Sequence, residues 1–202
     1  MKIFISGGCK NGKSYYAQHL AKHQQNMGQG ENLAKHQQSM GLGALYYIAT
    51  MDSTDHEDDE RIKRHKSERE GWGFVTVEQK QNIERVLDLC DHGGSFLLDS
   101  LTALLANEMF AAKGAIHTKA FDKIAEGILA IMSCIDNIVI VSDYIYSDAI
   151  LYDPLTEIYR KSLAKLDLLA VKHCDVVIEV CYTQIIVHKG REVFNAAFEG
   201  GF

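Results

Sequence analysis

The 202-residue sequence predicts an α/β fold with a mostly parallel central sheet, helices on both faces and β-rich strands at the C-terminal end. Three observations carry that expectation. The run Gly7-Gly8-Cys9-Lys10-Asn11-Gly12-Lys13-Ser14 satisfies the pattern G-x-x-x-x-G-K-[ST] at every required position. It stands between a short apolar run and a stretch of helical composition, the context that a phosphate-binding loop needs. Apolar runs of strand length then alternate with longer helical ones along the rest of the chain, as they do when helices cross over a parallel sheet. The class is therefore P-loop NTPase-like, with residues 1–202 read as one nucleotide-binding transferase domain, since this length suits one continuous core better than two.

Lys2 to Ser6 is apolar enough for a buried strand, and Lys13 to about Gln25, free of Gly and Pro, reads as a helix. Ala44 to Thr50 is the next strand and Asp55 to Arg69 a strongly charged helix. Phe74 to Val77 reads as a short strand or an extended connection. Gln79 to Asp91 looks helical, with Ile83, Val86, Leu87 and Cys90 on one face. Ser95 to Leu98 forms an apolar strand ending in Asp99, Leu101 to Ala112 a helix, Ala120 to Cys134 another, and Asn137 to Ser142 a strand. Asp153 to His173 is helical and carries the sole proline, Pro154, in its first turn, where a missing N–H costs nothing. Asp175 to Cys181 and Gln184 to His188 close the chain as β-rich runs, leaving a tail from Arg191 with no assigned role.

Leu20-Ala21-Lys22-His23-Gln24-Gln25 recurs as Leu33-Ala34-Lys35-His36-Gln37-Gln38. Two copies are too few for a stacked repeat architecture, so the expectation is a tandem duplication lying on the surface.

Composition narrows the function. A formal charge of −6 argues against a nucleic-acid surface, which draws on clustered Lys and Arg. The N-terminal apolar run is far too short for a signal peptide and no stretch is long enough to span a membrane, so the expected location is the cytoplasm. Five scattered cysteines without a C-x-x-C pair fit neither a disulfide framework nor a zinc site.

The loop from Gly7 to Ser14 carries the chemistry. Its glycines let backbone N–H groups converge on phosphates, the following helix adds its positive end, Lys13 reaches the outer phosphates and the Ser14 hydroxyl suits Mg²⁺. Cys9 reads as a small loop-filling residue rather than a nucleophile. Asp99, at a strand end, is placed like a metal-holding acid, although with Ser100 it also fits a helix N-cap. His65 lies among Arg61, Lys63, Arg64, Lys66 and Arg69, a cationic field that favours a neutral, nucleophilic imidazole and attracts polyphosphate. On the residues alone, a solvated charged helix is the better explanation.

Taken together, Gly7-Gly8-x-x-x-Gly12-Lys13-Ser14, Tyr47-Ile48-Ala49-Thr50, Arg61-Ile62-x-x-His65-Lys66-x-x-Arg69, Thr76-x-Glu78 and Leu97-Leu98-Asp99-Ser100-Leu101-Thr102 resemble the bifunctional adenosylcobinamide kinase/adenosylcobinamide-phosphate guanylyltransferase family. The resemblance implies an enzyme of cobalamin biosynthesis that phosphorylates the corrinoid adenosylcobinamide and then transfers GMP from GTP to that phosphate, through a guanylylated histidine at the position of His65. It implies that Thr50, Met51, Asp52, Lys66, Ser67, Glu68, Arg69, Glu78 and Asp99 line the nucleotide site beside the phosphate loop. Lys13 would act with Mg²⁺ on the leaving pyrophosphate, with Ser14 and Asp99 as the metal's ligands and GTP or ATP as substrates. It also implies a homo-oligomer, a trimer whose subunits complete one another's sites.

The second half departs from the family pattern. An Asn-Glu-x-Gly stretch is expected after the fourth strand, where this chain has Asp143-Tyr144-Ile145-Tyr146. An Arg-Asp-x-x-Gly-x-x-Asn-Gln helix is expected where it has Arg160 to Leu168, keeping Arg160 alone. Two other readings therefore stay open: a P-loop kinase for a different small molecule, and a nucleotide-binding paralogue without catalysis.

Overall fold

In the computed structural model of the protein, residues 1–34, 43–53, 56–110, 116–117 and 119–198 are described. Seven strands form one sheet in the order β3-β2-β4-β5-β1-β6-β7. They are β1 Lys2–Gly7, β2 Leu45–Ala49, β3 Phe74–Glu78, β4 Ser95–Asp99, β5 Asn137–Asp143, β6 Val176–Cys181 and β7 Gln184–Lys189. All neighbours pair in parallel except β6 and β7, which form an antiparallel hairpin at one edge.

The central strands are apolar on both faces, and the two-residue period sorts their side chains between two cores. Ile3, Ile5, Leu97, Val139, Val141, Val176, Ile178 and Val180 point to one side, where helix α1 (Lys13–Ala34) supplies Ala17, Leu20 and Ala21. Phe4, Phe96, Leu98, Ile138 and Ile140 point to the other, beneath α4 (Leu101–Met109), α5 (Ala120–Cys134) and α6 (Pro154–His173). Asp153 caps α6, accepting hydrogen bonds from Leu155 N and Thr156 N at 3.0 and 3.2 Å, with Pro154 at the first turn as expected.

The remaining expectations need correction at particular places. Helix α1 continues past Gln25 to Ala34, because the glycines beyond it do not by themselves stop a helix. The duplicated hexapeptide is not a surface feature in its first copy. Leu20 and Ala21 are fully buried, Gln24 donates to Met1 O at 2.8 Å and Gln25 to Gly43 O at 2.9 Å. In the second copy Leu33 and Ala34 end α1, and residues 35–38 lie outside the described residues.

Gln79 to Asp91 is not one helix. It holds a 3₁₀ turn, Ile83–Arg85, and a single helical turn α3, Val86–Leu89. Asn82 takes the left-handed conformation (φ 50°), and its N–H is drawn to Glu108 Oε1 at 2.7 Å. The Gln79 amide meanwhile donates to the carbonyls of Gln81 and Asn82. Side chains that compete for backbone groups in this way override helical composition. Helix α4 closes at Phe110 rather than Ala112; residues 111 and 112 lie outside the described residues.

The tail has a role after all. Gly190, with φ 73°, turns the chain into α7 (Arg191–Ala197), and the rings of Phe194 and Phe198 pack against the α1 side of the sheet. A Cβ at Gly190 would lie 2.3 Å from Asp175 O. Strain and clash together set an expected cost for Gly190→Ala of about 2 kcal/mol or more. The thermal midpoint should accordingly fall by roughly 4 °C or more in a circular-dichroism melt.

Candidate active site

Parallel register sets the C-terminal ends of the strands side by side. Gly7 pairs with Asp143, Ala49 with both Glu78 and Asp99, and Asp99 with Val141. Open parallel sheets bind their ligands at this edge. Here three carboxylates, Glu78, Asp99 and Asp143, end strands along the same edge from which the glycine loop leaves β1.

The loop is held from several directions. Asn11 donates to the carbonyl of Val180 on β6 and accepts from Lys13 N at 3.2 Å. Lys10 and Gly12 both have positive φ, 56° and 91°, which curls the backbone ahead of α1. No acidic residue occupies the first turn of α1, so the positive end of the helix is unopposed. Gly8 and Cys9 sit on the open side of the loop. The Lys13 ammonium folds back on Gly8 O at 2.8 Å and forms a buried ion pair with Asp143.

A cleft of about 440 Å³ opens beside the loop. Its lining brings together Ser14, Met51, Lys66, Arg69, Glu78 and Asp99, all expected at a nucleotide site, with Tyr47, Asp143 and Tyr159. Ser67 lines a neighbouring cleft on the outer side of Lys66 and Arg69, and Asp52 a third, where it pairs with Lys80. Thr50 is set behind the wall instead. Its hydroxyl donates to Ser100 O at 2.8 Å and accepts from Ser100 N at 2.6 Å, and the residue is wholly buried.

Helix α2 (His56–Glu68) closes the cleft's outer side. Ile62 and Lys66 from α2, with Arg69 just after it, line the cleft. Glu68 is the last residue of the helix. Lys66 pairs with Glu78 at 3.1 Å, joining α2 to the end of β3, an exposed contact that contributes little to stability.

Ser100 is the cap of α4, its hydroxyl accepting from Ala103 N. Asp99 is thus released from capping and accepts from the Tyr47 hydroxyl at 2.9 Å through Oδ2. Among the described residues no three His, Cys, Asp or Glu side chains gather into a metal site. Two hard oxygen donors, Asp99 and Ser14, do line one cleft, however. That set fits Mg²⁺, which takes one or two protein oxygens and completes its shell with phosphates and water.

Sequence reasoning missed Asp143, which it treated as a departure. The signal was present: an apolar strand followed directly by Asp, the same pattern that marked Asp99. Asp143 ends β5, the immediate neighbour of β1, whereas Asp99 stands one strand further out.

The other departures meet inside the protein. Tyr146 donates to Asp167 Oδ2 at 2.7 Å, so the residues standing where Gly and Asn are expected form a part-buried pair. Arg160, also buried, is held by Asp148 and Glu157, each at 2.7 Å, and by the carbonyl of Ile145 at 3.1 Å. Burial pushes the Asp167 carboxyl up to about 6, against the opposing pull of the Tyr146 and Ser142 hydroxyls, and nearby Asp143 adds to the rise. Burial likewise pushes the Tyr159 phenol up to about 12.

A family model described as cobinamide kinase/cobinamide phosphate guanyltransferase, CobU, matches residues 3–185. The chain belongs to this family. Within the cobinamide kinase/guanyltransferase family it is a divergent member in its second half, on the residues described above. No curated protein matches the chain. Among solved structures, a KaiC-like protein of the hyperthermophilic archaeon Pyrococcus horikoshii OT3 is 12% identical, covering 95% of this chain and 80% of its own, with a TM-score of 0.45. A second protein of that organism, known by a project identifier, is 11% identical over 93% of this chain and 85% of its own, with a TM-score of 0.43. No helix among the described residues is long and apolar enough to cross a membrane.

An acid whose folded value is raised favours the protonated native state, so its contribution is present at low pH and lost as pH climbs from about 4 to about 6. Asp167→Asn keeps the acceptor for Tyr146 without the charge. Relative to the unmodified protein, the variant should gain stability across that window, reaching on the order of 2–3 kcal/mol above pH 7. Urea melts of both proteins at pH 4 and pH 7.5 check this; an unchanged difference between the two pH values would contradict it.

Proposed function

We propose that the protein is a cytoplasmic, single-domain phosphoryl and nucleotidyl transferase. It phosphorylates adenosylcobinamide and then transfers GMP from GTP to the resulting phosphate, acting as a homo-oligomer. What supports this reading is that one cleft is lined by Ser14 of the phosphate loop, a strand-end carboxylate, Lys66 of the helix that also carries His65, and Arg69 just after that helix. The family match supplies the reaction class.

A triphosphate entering the loop meets the backbone N–H groups and the N-terminal end of α1. Lys13 exchanges its carboxylate partner, Asp143, for phosphate oxygens. In the guanylyl transfer, the imidazole of His65 attacks the α-phosphorus: a P–N bond forms, the P–O bond to the β-phosphate breaks, and pyrophosphate departs. The terminal phosphate of the corrinoid then attacks the same phosphorus, forming the diphosphate linkage and returning the electron pair to nitrogen. In the kinase step a corrinoid hydroxyl attacks the γ-phosphorus of GTP or ATP and releases the nucleoside diphosphate.

Lys66 and Arg69 neutralise the phosphate under attack, and Glu78 accepts hydrogen bonds from a guanine edge or a ribose. Ser14 and Asp99 would hold Mg²⁺, which supplies charge neutralisation on the phosphates. Positioning and electrostatics account for the catalysis, since the bonds exchanged belong to the substrates.

Incubation with labelled GTP and Mg²⁺ should give a GMP adduct on His65 that is lost in acid and survives base, the behaviour of a phosphoramidate. His65→Ala should remove the adduct while GTP still binds. Lys13→Ala should weaken GTP binding by at least about tenfold, through loss of a charge-assisted contact. An adduct on another residue, or binding without pyrophosphate release, would withdraw the guanylyl-transfer assignment and leave a small-molecule kinase or a nucleotide-binding chain.

A further inference from the structure

Tyr47 lies on β2, clear of the phosphate loop, and is 4% exposed. Two groups of opposite charge meet on it. Its hydroxyl donates to Asp99 Oδ2 at 2.9 Å across the β2–β4 pairing. The guanidinium carbon of Arg69 sits 3.5 Å from the centre of its ring. Phe74, on the adjoining strand β3, packs edge-on against that ring at 5.9 Å and fixes its plane.

Arg69 is 7% exposed, and its buried Nη1 has no hydrogen-bond partner among the described residues. A guanidinium with an unused donor is costly to bury unless something anionic receives it. The cleft onto which Arg69 opens also presents Ser14, Lys66 and Asp99. Asp99 is an anion of the same cleft, and among the described residues Arg69 makes no ion pair with it. Tyr47 stands between them and engages each separately.

We propose that Tyr47 is a positioning residue for the nucleotide cleft, with two separable functions. Its hydroxyl occupies one oxygen of Asp99 and orients the other for Mg²⁺. Its ring holds the Arg69 guanidinium facing the cleft and keeps it from collapsing onto Asp99, so that the free N–H is spent on a phosphate of the substrate. This rests on the nucleotide-transfer reading above and adds to it a residue of the cleft wall that acts through Asp99 and Arg69.

The two functions predict different phenotypes. Tyr47→Phe keeps the ring and deletes the hydroxyl; Tyr47→Leu deletes both. Binding of a fluorescent GTP analogue, titrated with Mg²⁺, separates them without recourse to turnover. Tyr47→Phe should raise the Mg²⁺ concentration for half-maximal binding by roughly tenfold, the size of a lost hydrogen bond to a charged group. Its affinity at saturating Mg²⁺ should stay within about twofold of the unmodified protein.

Tyr47→Leu should lower affinity by roughly tenfold even at saturating Mg²⁺, as expected for loss of a desolvated cation–π contact. Adding Arg69→Gln to Tyr47→Leu should then cost little more, although Arg69→Gln alone costs as much as Tyr47→Leu. Thermal melts show which variants fold, and Tyr47→Phe, which removes a single oxygen, carries the metal arm if Tyr47→Leu does not. An unchanged Mg²⁺ requirement in Tyr47→Phe, or full additivity of the Leu and Gln substitutions, would overturn the proposal. An unmodified protein that fails to bind Mg²⁺·GTP would instead strike at the nucleotide reading itself, and is recognised before any variant is made.

Discussion

In-register parallel pairing is the constraint from which the site follows. Because β2, β3, β4, β5 and β1 run the same way, with β5 and β1 reaching two residues beyond β4, the residues that terminate them, Ala49, Glu78, Asp99, Asp143 and Gly7, lie along one edge of the sheet. Slipping any strand by one residue would send its terminal carboxylate to the opposite face and its apolar side chains into the wrong core. The hydrophobic alternation that sorts Phe96 and Leu98 from Leu97, and Ile138 and Ile140 from Val139 and Val141, therefore also fixes where the charges stand. Stability and site geometry are consequences of one pattern.

This edge gathers like charges, and the fold contains them in three ways. Asp143 is neutralised by Lys13, Glu78 by Lys66, and Asp99 receives a hydroxyl from Tyr47. Each arrangement differs in how easily it yields. The Lys66–Glu78 pair is half-exposed and exchanges readily with solvent ions. The Lys13–Asp143 pair is largely sheltered, so an entering phosphate competes with a carboxylate for the same ammonium. On the proposed reading, phosphate is bound against an internal anion, which would favour ligands bearing more negative charge than a single carboxylate.

The sequence made the phosphate loop and the buried strands legible because both are local: one is a spacing, the other a two-residue period. The loop of charged helix α2 and its neighbours was legible through resemblance rather than periodicity. What stayed hidden was decided by partners far along the chain. The segment after β3 has helical composition, yet Glu108 captures the N–H of Asn82 and the left-handed turn there breaks the run. Tyr146 and Asp167 look like two losses when taken singly, and form one hydrogen bond in space. Asp143 was within reach of the same rule that found Asp99, but its value depends on strand order, which places β5 rather than β4 next to β1.

The duplicated hexapeptide ends as a problem of selection. The first copy fits a fitted seat: Leu20 and Ala21 go into the core, His23 lies against Phe198 and bonds Ala197 O at 2.7 Å, and Gln24 and Gln25 tie the helix to Met1 and Gly43. One seat admits one occupant. Six residues that occur twice in the chain are therefore redundant as far as these contacts go, and shortening the connection to β2 by the length of the second copy would forfeit none of them. Since closing a longer connection costs only a logarithm of its length, a duplication placed there adds little to the cost of folding.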